Sequence, residues 1–184
     1  MFAWMPHPTP AHATVDERRL RQSLGAFPTG VCLVTTVGAD GKREGMTINS
    51  FASVSLTPPL ILWSVREAAR SADAFVTAPH FTLSILGADQ KDLALHFARP
   101  APDKFDAWED AFETGLGGCP RLRESVATYE CRLYSCHLEG DHSILVGRVE
   151  HFSHDPQRPP LMFHAGKMGS VWELAEQTPQ AVPA

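Results

Sequence analysis

Val31-Cys32-Leu33-Val34-Thr35-Thr36-Val37, followed by Gly38-Ala39-Asp40-Gly41, is the stretch on which the fold reading turns. Its run of β-branched residues is too short for an average helix and suits a pleated strand. Asp40-Gly41 favours the positive φ of a tight hairpin, so the residues after it read as a returning strand. Working outward, residues 60–65, 81–86, 126–136, 143–152 and 161–164 each carry β-branched or aromatic side chains in short extended runs. Helices interrupt this series at three places. Thr14-Val15-Asp16-Glu17 has capping-box spacing ahead of Leu20, Leu24 and Phe27, which predicts an apolar stripe along a short helix ended by Gly25 and Pro28. Residues 68–77 and 89–97 read as two more, with Asp89 as a cap and Leu93 four residues before Phe97 on one face. Residues 99–123 read mostly as loop. Helices this few cannot cover both faces of a parallel sheet, so the expected architecture is an antiparallel barrel with peripheral helices.

The chain has 184 residues, 43% of them hydrophobic, enough for one sizeable core and one domain. Lys and Arg total 16 against 21 Asp and Glu, a formal charge of −5, which disfavours binding to a nucleic-acid backbone. No apolar run approaches the roughly 18 residues of a spanning helix, so a soluble chain without membrane contact is expected. The Pro-rich beginning, with Pro6, Pro8 and Pro10, does not resemble a signal peptide. Cys32, Cys119, Cys131 and Cys136 form no CxxC pair, which fits a reducing cytoplasm better than a disulfide framework or a zinc ribbon. Residues 1–14 read as a disordered tail, 15–174 as the domain and 175–184 as a second tail.

Chemistry concentrates in few places. Gly45-Met46-Thr47-Ile48-Asn49-Ser50 sets small hydroxyl and amide side chains in a strand-rich context, where a planar polar ligand can approach the backbone. The same composition also fits a half-exposed strand whose Ser and Thr face water. Arg66, Arg70 and Ser71 gather guanidinium groups and a hydroxyl at a predicted helix start, either an anion pocket or a solvated cap. Lys104 is a second candidate cation. Gly140-Asp141-His142 puts an imidazole at a strand entrance, as an accessible proton-exchanging group or as the exposed residue of a plain hairpin turn. The histidines show no HExxH spacing, so no metal site is expected. GxSxG and GxGxxG are both missing, which argues against a serine hydrolase and a Rossmann nucleotide fold.

Taken in order, Leu24-Gly25-Ala26-Phe27-Pro28-Thr29-Gly30-Val31, Asn49-Ser50-Phe51-Ala52-Ser53-Val54-Ser55-Leu56-Thr57-Pro58-Pro59-Leu60, Phe97-Ala98, Asp103-Lys104-Phe105 and Gly140-Asp141-His142 with Val146-Gly147 resemble the flavin reductase-like family. The likeness runs from about Leu20 to Trp172. It implies an FMN-binding split β-barrel of Greek-key type with about six strands, a homodimer with flavin near the interface, and hydride transfer from NADH or NADPH to FMN, FAD or riboflavin. Reduced flavin then passes to a partner monooxygenase. A flavin-binding electron carrier or sensor with tightly held FMN is the alternative. The resemblance makes Gly45, Met46, Thr47, Ile48, Asn49 and Ser50 the ring and ribityl cradle, and Ser64, Val65, Arg66, Arg70 and Ser71 the phosphate side. His96 and Lys104 are implied at the flavin tail, and His142 is implied as the catalytic group beside the nicotinamide. Gly166-Lys167-Met168-Gly169 departs from the Gly-x-Tyr-like segment of relatives. In the loop 155–159, Arg158 is a candidate for the nucleotide phosphate by position and charge.

Overall fold

The computed structural model describes residues 15–176 of the chain. Residues 1–14 and 177–184, read as tails from the sequence, lie outside the described residues. The chain begins with α1 (Glu17–Leu24) and β1 (Thr29–Gly30), then runs through β2 (Cys32–Val37), β3 (Arg43–Ile48), β4 (Ala52–Leu56) and β5 (Pro59–Arg66). After α2 (Ala72–Thr77) come β6 (His80–Ile85), α3 (Lys91–Phe97), β7 (Phe112–Thr114) and β8 (Pro120–Leu122). Two 13-residue strands, β9 (Ala127–Glu139) and β10 (His142–His154), precede β11 (Met162–His164), β12 (Lys167–Gly169) and α4 (Val171–Glu176).

The main sheet has seven strands, all antiparallel, in the order β3-β2-β6-β9-β10-β5-β4. Its two edge strands are neighbours in sequence, joined only by Asn49, Ser50 and Phe51. Four residue steps reach at most about 14 Å, whereas six strand spacings laid flat cover roughly 29 Å. The sheet therefore curls until β3 and β4 approach each other, which makes the predicted barrel, with one main-sheet strand more than the six expected. β1, β11 and β12 form a small second sheet and β7 and β8 a third.

Two apolar clusters hold this shape. Inside the barrel, Trp63, Phe75 and Phe81 meet edge to face, with ring centroids 5.0 and 5.8 Å from Trp63. Outside it, Phe97, Phe105 and Phe112 form a triangle at 5.0–5.7 Å under α3. β2 lies between the two, with Cys32 and Val34 turned into the first and Leu33 into the second, so a strand of period two is buried on both faces. Gly147 marks a close approach, because a Cβ there meets Phe81 Cζ at 2.3 Å.

Several local expectations need correction. α1 is capped by Asp16, whose carboxylate accepts from the Arg18 and Arg19 N–H groups, instead of by the capping box begun at Thr14. Its stripe is not packed: Leu20, Leu24 and Phe27 are all exposed. The predicted helix 68–77 is helical only from Ala72, since Ala69 and Ala72 close turns before it. At 89–97 the helix begins as a 3-10 turn, Ala88–Gln90. There Gln90 Oε1, and not Asp89, accepts the Gly87 N–H at 2.8 Å. Leu93 and Phe97 do share its buried face. The region 99–123 contains the β7–β8 hairpin and a 3-10 turn, Asp106–Ala111.

Candidate functional site

The rim is built from the turn upward. Gly140 and Asp141 alone connect β9 to β10, with Gly140 at φ 64° and Asp141 outside the positive-φ region, the pattern of a II′ hairpin. This tight turn brings His142 into register with Arg66, the last residue of β5. Asp141 then stands between them. Its Oδ1 lies 2.7 Å from His142 Nδ1, and its Oδ2 3.3 Å from Arg66 Nε. The hydrogen bond from His142, with the Arg66 charge as a smaller contribution, holds the Asp141 carboxyl below the ordinary aspartate range. Glu67 N–H donates to Asp141 O at 3.0 Å, and Ser143 Oγ donates to Glu67 Oε1 at 2.5 Å, so the turn is pinned from the β5 side.

Two residues back along β5, on the face shared with Arg66, is Ser64. Ser50 Oγ accepts from Ser64 N at 3.0 Å and donates to Ser64 O at 3.2 Å, clasping the β3–β4 connection onto β5. Phe51 stacks on Tyr129 at 5.9 Å and anchors the same connection. Two contact groups therefore share this face of β5, Ser50 on Ser64 and Asp141 between Arg66 and His142. Beside Asn49, whose side chain is exposed, an open cavity of about 290 Å³ is walled by Val31, Ile48, Ala98, Phe163 and Met168. Thr47 also borders it, with its hydroxyl donated to Ala94 O at 2.7 Å.

Other predicted residues are engaged elsewhere. Val65 is buried among core side chains and offers a ligand only its main chain. Ser71 is buried ahead of a six-residue helix, while Arg70 is exposed. Lys104 Nζ donates to Gly45 O at 2.9 Å and Phe97 O at 3.0 Å, and burial pulls its ammonium below the usual lysine range. His96 Nε2 lies 2.8 Å from Lys104 O; a carbonyl only accepts, so this nitrogen carries the hydrogen. His96 and Lys104 thus tie the loop after α3 to β3. Gly45 makes room for that packing, since a Cβ there meets the Phe97 ring at 2.8 Å. Arg158 is held by Asp89 at 2.6 Å and Glu124 at 3.0 Å, which answers its charge and leaves none for a nucleotide phosphate. Hollows of about 370 and 400 Å³ flank it, and no cradle residue reaches them.

The flavin reductase-like domain model matches residues 24–171. The chain belongs to this family. Flavin reductase-like relatives include the FMN reductase (NADH) of Agrobacterium fabrum, 43% identical over 156 residues, covering 84% of this chain and 86% of the relative. The reductase subunit of a flavin-dependent monooxygenase of Rhodococcus jostii is 38% identical, over 88% of this chain and 81% of the relative. Among solved structures, the NADH:FAD oxidoreductase of Streptomyces globisporus in complex with NAD and FAD fragments superposes with a TM-score of 0.79 at 36% identity, over 91% of this chain and 96% of that one. The chain spans 59% and 43% of the lengths of two further relatives from Rhizobium meliloti, a stachydrine N-demethylase reductase subunit and a probable flavin reductase. The fold is the split barrel of the flavin reductases.

For a flavin reductase-like chain, the sequence reading missed Ala98, Phe163 and Met168 as cavity walls and Asp141 as the link between Arg66 and His142. Gly166, at φ 80° between β11 and β12, was the available signal for the hairpin that carries Phe163 and Met168. Met168 lies in the segment that departs from the Gly-x-Tyr-like pattern, and it presents a thioether in place of an aromatic ring. Among the described residues no helix is long and apolar enough to cross a membrane. Burial pushes the thiols of Cys32 and Cys131 up to about 12.

Proposed function

We propose that the chain is an NADH- or NADPH-dependent flavin reductase, a cytoplasmic homodimer that delivers reduced FMN, FAD or riboflavin to a partner monooxygenase. The observation that carries this reading is two linked groups on one face of β5, Ser50 on Ser64 and Asp141 between Arg66 and His142, with Asn49, next to Ser50, bordering an apolar cavity. The residues fit a flavin. Ile48, Phe163 and Met168 give one face of a flat ring an apolar wall, and the Asn49 amide offers a donor and an acceptor to its polar edge. Arg66 and Arg70 supply positive charge for a phosphate, near the main chain of Ser64, Val65 and Ser71. Gly45, Met46 and Thr47 contribute as the strand that carries the cradle, and Lys104 with His96 holds that strand from behind.

Hydride passes from C4 of the reduced nicotinamide to N5 of the flavin, chemistry that belongs to those two rings. The protein's part would be to hold the two rings in register, with Ile48, Phe163 and Met168 against the flavin and His142 beside the nicotinamide. His142 lies at the rim, in reach of a carboxamide stacked there. Support for the homodimer comes from the outer face of β5 and β10, where Leu62, Ile144 and Val146 are only partly covered, with the exposed Val54 on the neighbouring β4. Ser64 shares that outer face with Leu62, so in this reading the cradle lies beside the dimer surface. Names of relatives as monooxygenase reductase subunits support the partner.

The test is NADH and NADPH consumption by the purified chain with FMN, FAD and riboflavin titrated in turn. Saturation by one added flavin is the expected result. Turnover independent of added flavin moves the protein to a tightly held carrier, and absence of turnover despite flavin binding moves it to a sensor.

A further inference from the structure

Asp141 is held more firmly than its exposed position suggests. Its carbonyl accepts from Glu67 N–H at 3.0 Å, Glu67 is held in turn by Ser143, and the preceding Gly140 turn admits no extra residue. Arg66 takes one carboxylate oxygen and His142 Nδ1 the other, at 3.3 and 2.7 Å. The charged groups packed around the ring are Arg66 at the end of β5, Asp141 in the turn and Glu139, its cross-strand partner on β9, while the Glu67 carboxylate just beyond β5 is taken by Ser143 on the opposite face of β10. A carboxylate held below its ordinary range is ionised at neutral pH and only accepts, so the hydrogen on the neutral imidazole belongs on Nδ1.

We propose that Asp141 is a positioning residue that fixes neutral His142 as its Nδ1–H tautomer, leaving Nε2 as an acceptor for a ligand N–H at the rim. The tautomer follows from the geometry alone; the ligand rests on the reductase reading. If the ligand is a reduced nicotinamide, an acceptor at Nε2 selects the N–H of its carboxamide. It disfavours the nicotinic acid analogue, whose carboxylate brings only acceptors.

The experiment is ¹⁵N NMR of the full chain labelled at histidine, without ligand, at a pH about two units above the ordinary imidazole midpoint, with His142 assigned from Asp141-intact His142→Gln protein. Wild type is expected to show mainly Nδ1–H at His142. Asp141→Ala is expected to shift the ratio of Nδ1–H to Nε2–H about tenfold or more toward Nε2–H, the loss of one charge-assisted hydrogen bond. Asp141→Asn shifts it the same way, because its amide can donate to Nδ1, and Asp141→Glu restores part of the wild-type ratio. A wild-type ring that is mainly Nε2–H, or a ratio unmoved in folded Asp141→Ala, overturns the proposal. In the activity arm, Asp141→Ala raises KM for the reduced nicotinamide more than it changes KM for the flavin, and wild type prefers that nucleotide over its nicotinic acid analogue. Wild type that turns over neither nucleotide defeats the reductase reading while leaving the tautomer result standing. Turnover without preference for the carboxamide defeats the acceptor role alone.

Discussion

Two three-membered clusters of ionisable side chains on this molecule differ in composition. Around Arg158, one cation sits between two anions, Asp89 and Glu124; at the rim, one anion, Asp141, sits between Arg66 and His142. The Arg158 side chain is 16% exposed and that of Arg66 is 65% exposed. In the first cluster the guanidinium is answered twice over and joins the loop 155–159 to the 3-10 turn before α3 and to the connection between β8 and β9. In the second, Arg66 meets Asp141 through Nε, so most of its donor fork still faces solvent. Both arginines read as phosphate ligands in the sequence. Their difference is one of availability: the fold answers the Arg158 charge with two carboxylates and leaves Arg66 exposed with one.

Predictions that break or sharpen this contrast run from large to small. His142→Ala lowers kcat/KM for the reduced nicotinamide about 10- to 100-fold in steady-state assays, the size of one hydrogen bond to a polarised or charged group, with the melting temperature unchanged. Full retained activity removes His142 from the site. Lys104→Met costs about 2–3 kcal/mol in denaturant unfolding, because the Gly45 and Phe97 carbonyls lose their donor. A smaller loss together with a changed flavin KM would instead give Lys104 a direct ligand role. Arg158→Met lowers stability by about 1–2 kcal/mol, seen as a melting shift of a few degrees, and leaves turnover unchanged. Arg66→Met does the reverse: its exposed ion pair is worth about 0–0.5 kcal/mol, so melting barely moves while KM for a phosphorylated flavin rises about fivefold. Exchange of those two outcomes between the arginines would reverse the comparison.

The smallest effect is on pH. Burial lowers the Lys104 midpoint, so the folded chain gives up that proton before the unfolded chain does. Between the lowered midpoint and about 10.4 the unfolded state binds more protons, and the Lys104 contribution rises with pH. The stability gap between wild type and Lys104→Met, followed by denaturant melts, therefore widens as pH rises through that interval; a narrowing gap contradicts it. Asp141 has the opposite acid-side behaviour: its contribution is present above the ordinary aspartate range and fades as pH falls through its lowered midpoint.

Much of the barrel was legible because its strands carry short-range signals. Residues 31–37, 60–65, 81–86 and 143–152 combine β-branched composition with turn residues at their ends, and each lies in a main-sheet strand to within a few residues. β4 escaped notice because Ala52-Ser53-Val54-Ser55-Leu56 has weak strand composition and is recruited to the sheet by β5. The packing of α1 was misjudged for a related reason: an apolar stripe says that a helix can bury a face, not that this chain supplies the surface.

By itself the sequence determined the strand-rich class, the hairpin turns at Gly41 and Gly140, the family resemblance and the residue types gathered around the site. All of these depend on local propensity or on ordered motifs along the chain. The tertiary structure alone decided which polar groups remain for a ligand. The deciding partners come from distant segments: Asp89 and Glu124 claim Arg158, the Gly45 carbonyl claims Lys104 across 59 residues, and Arg66 reaches Asp141 across 75. Charge and hydrogen-bonding capacity are fixed by residue identity, but their availability is set by burial and by what the fold puts within about 3 Å.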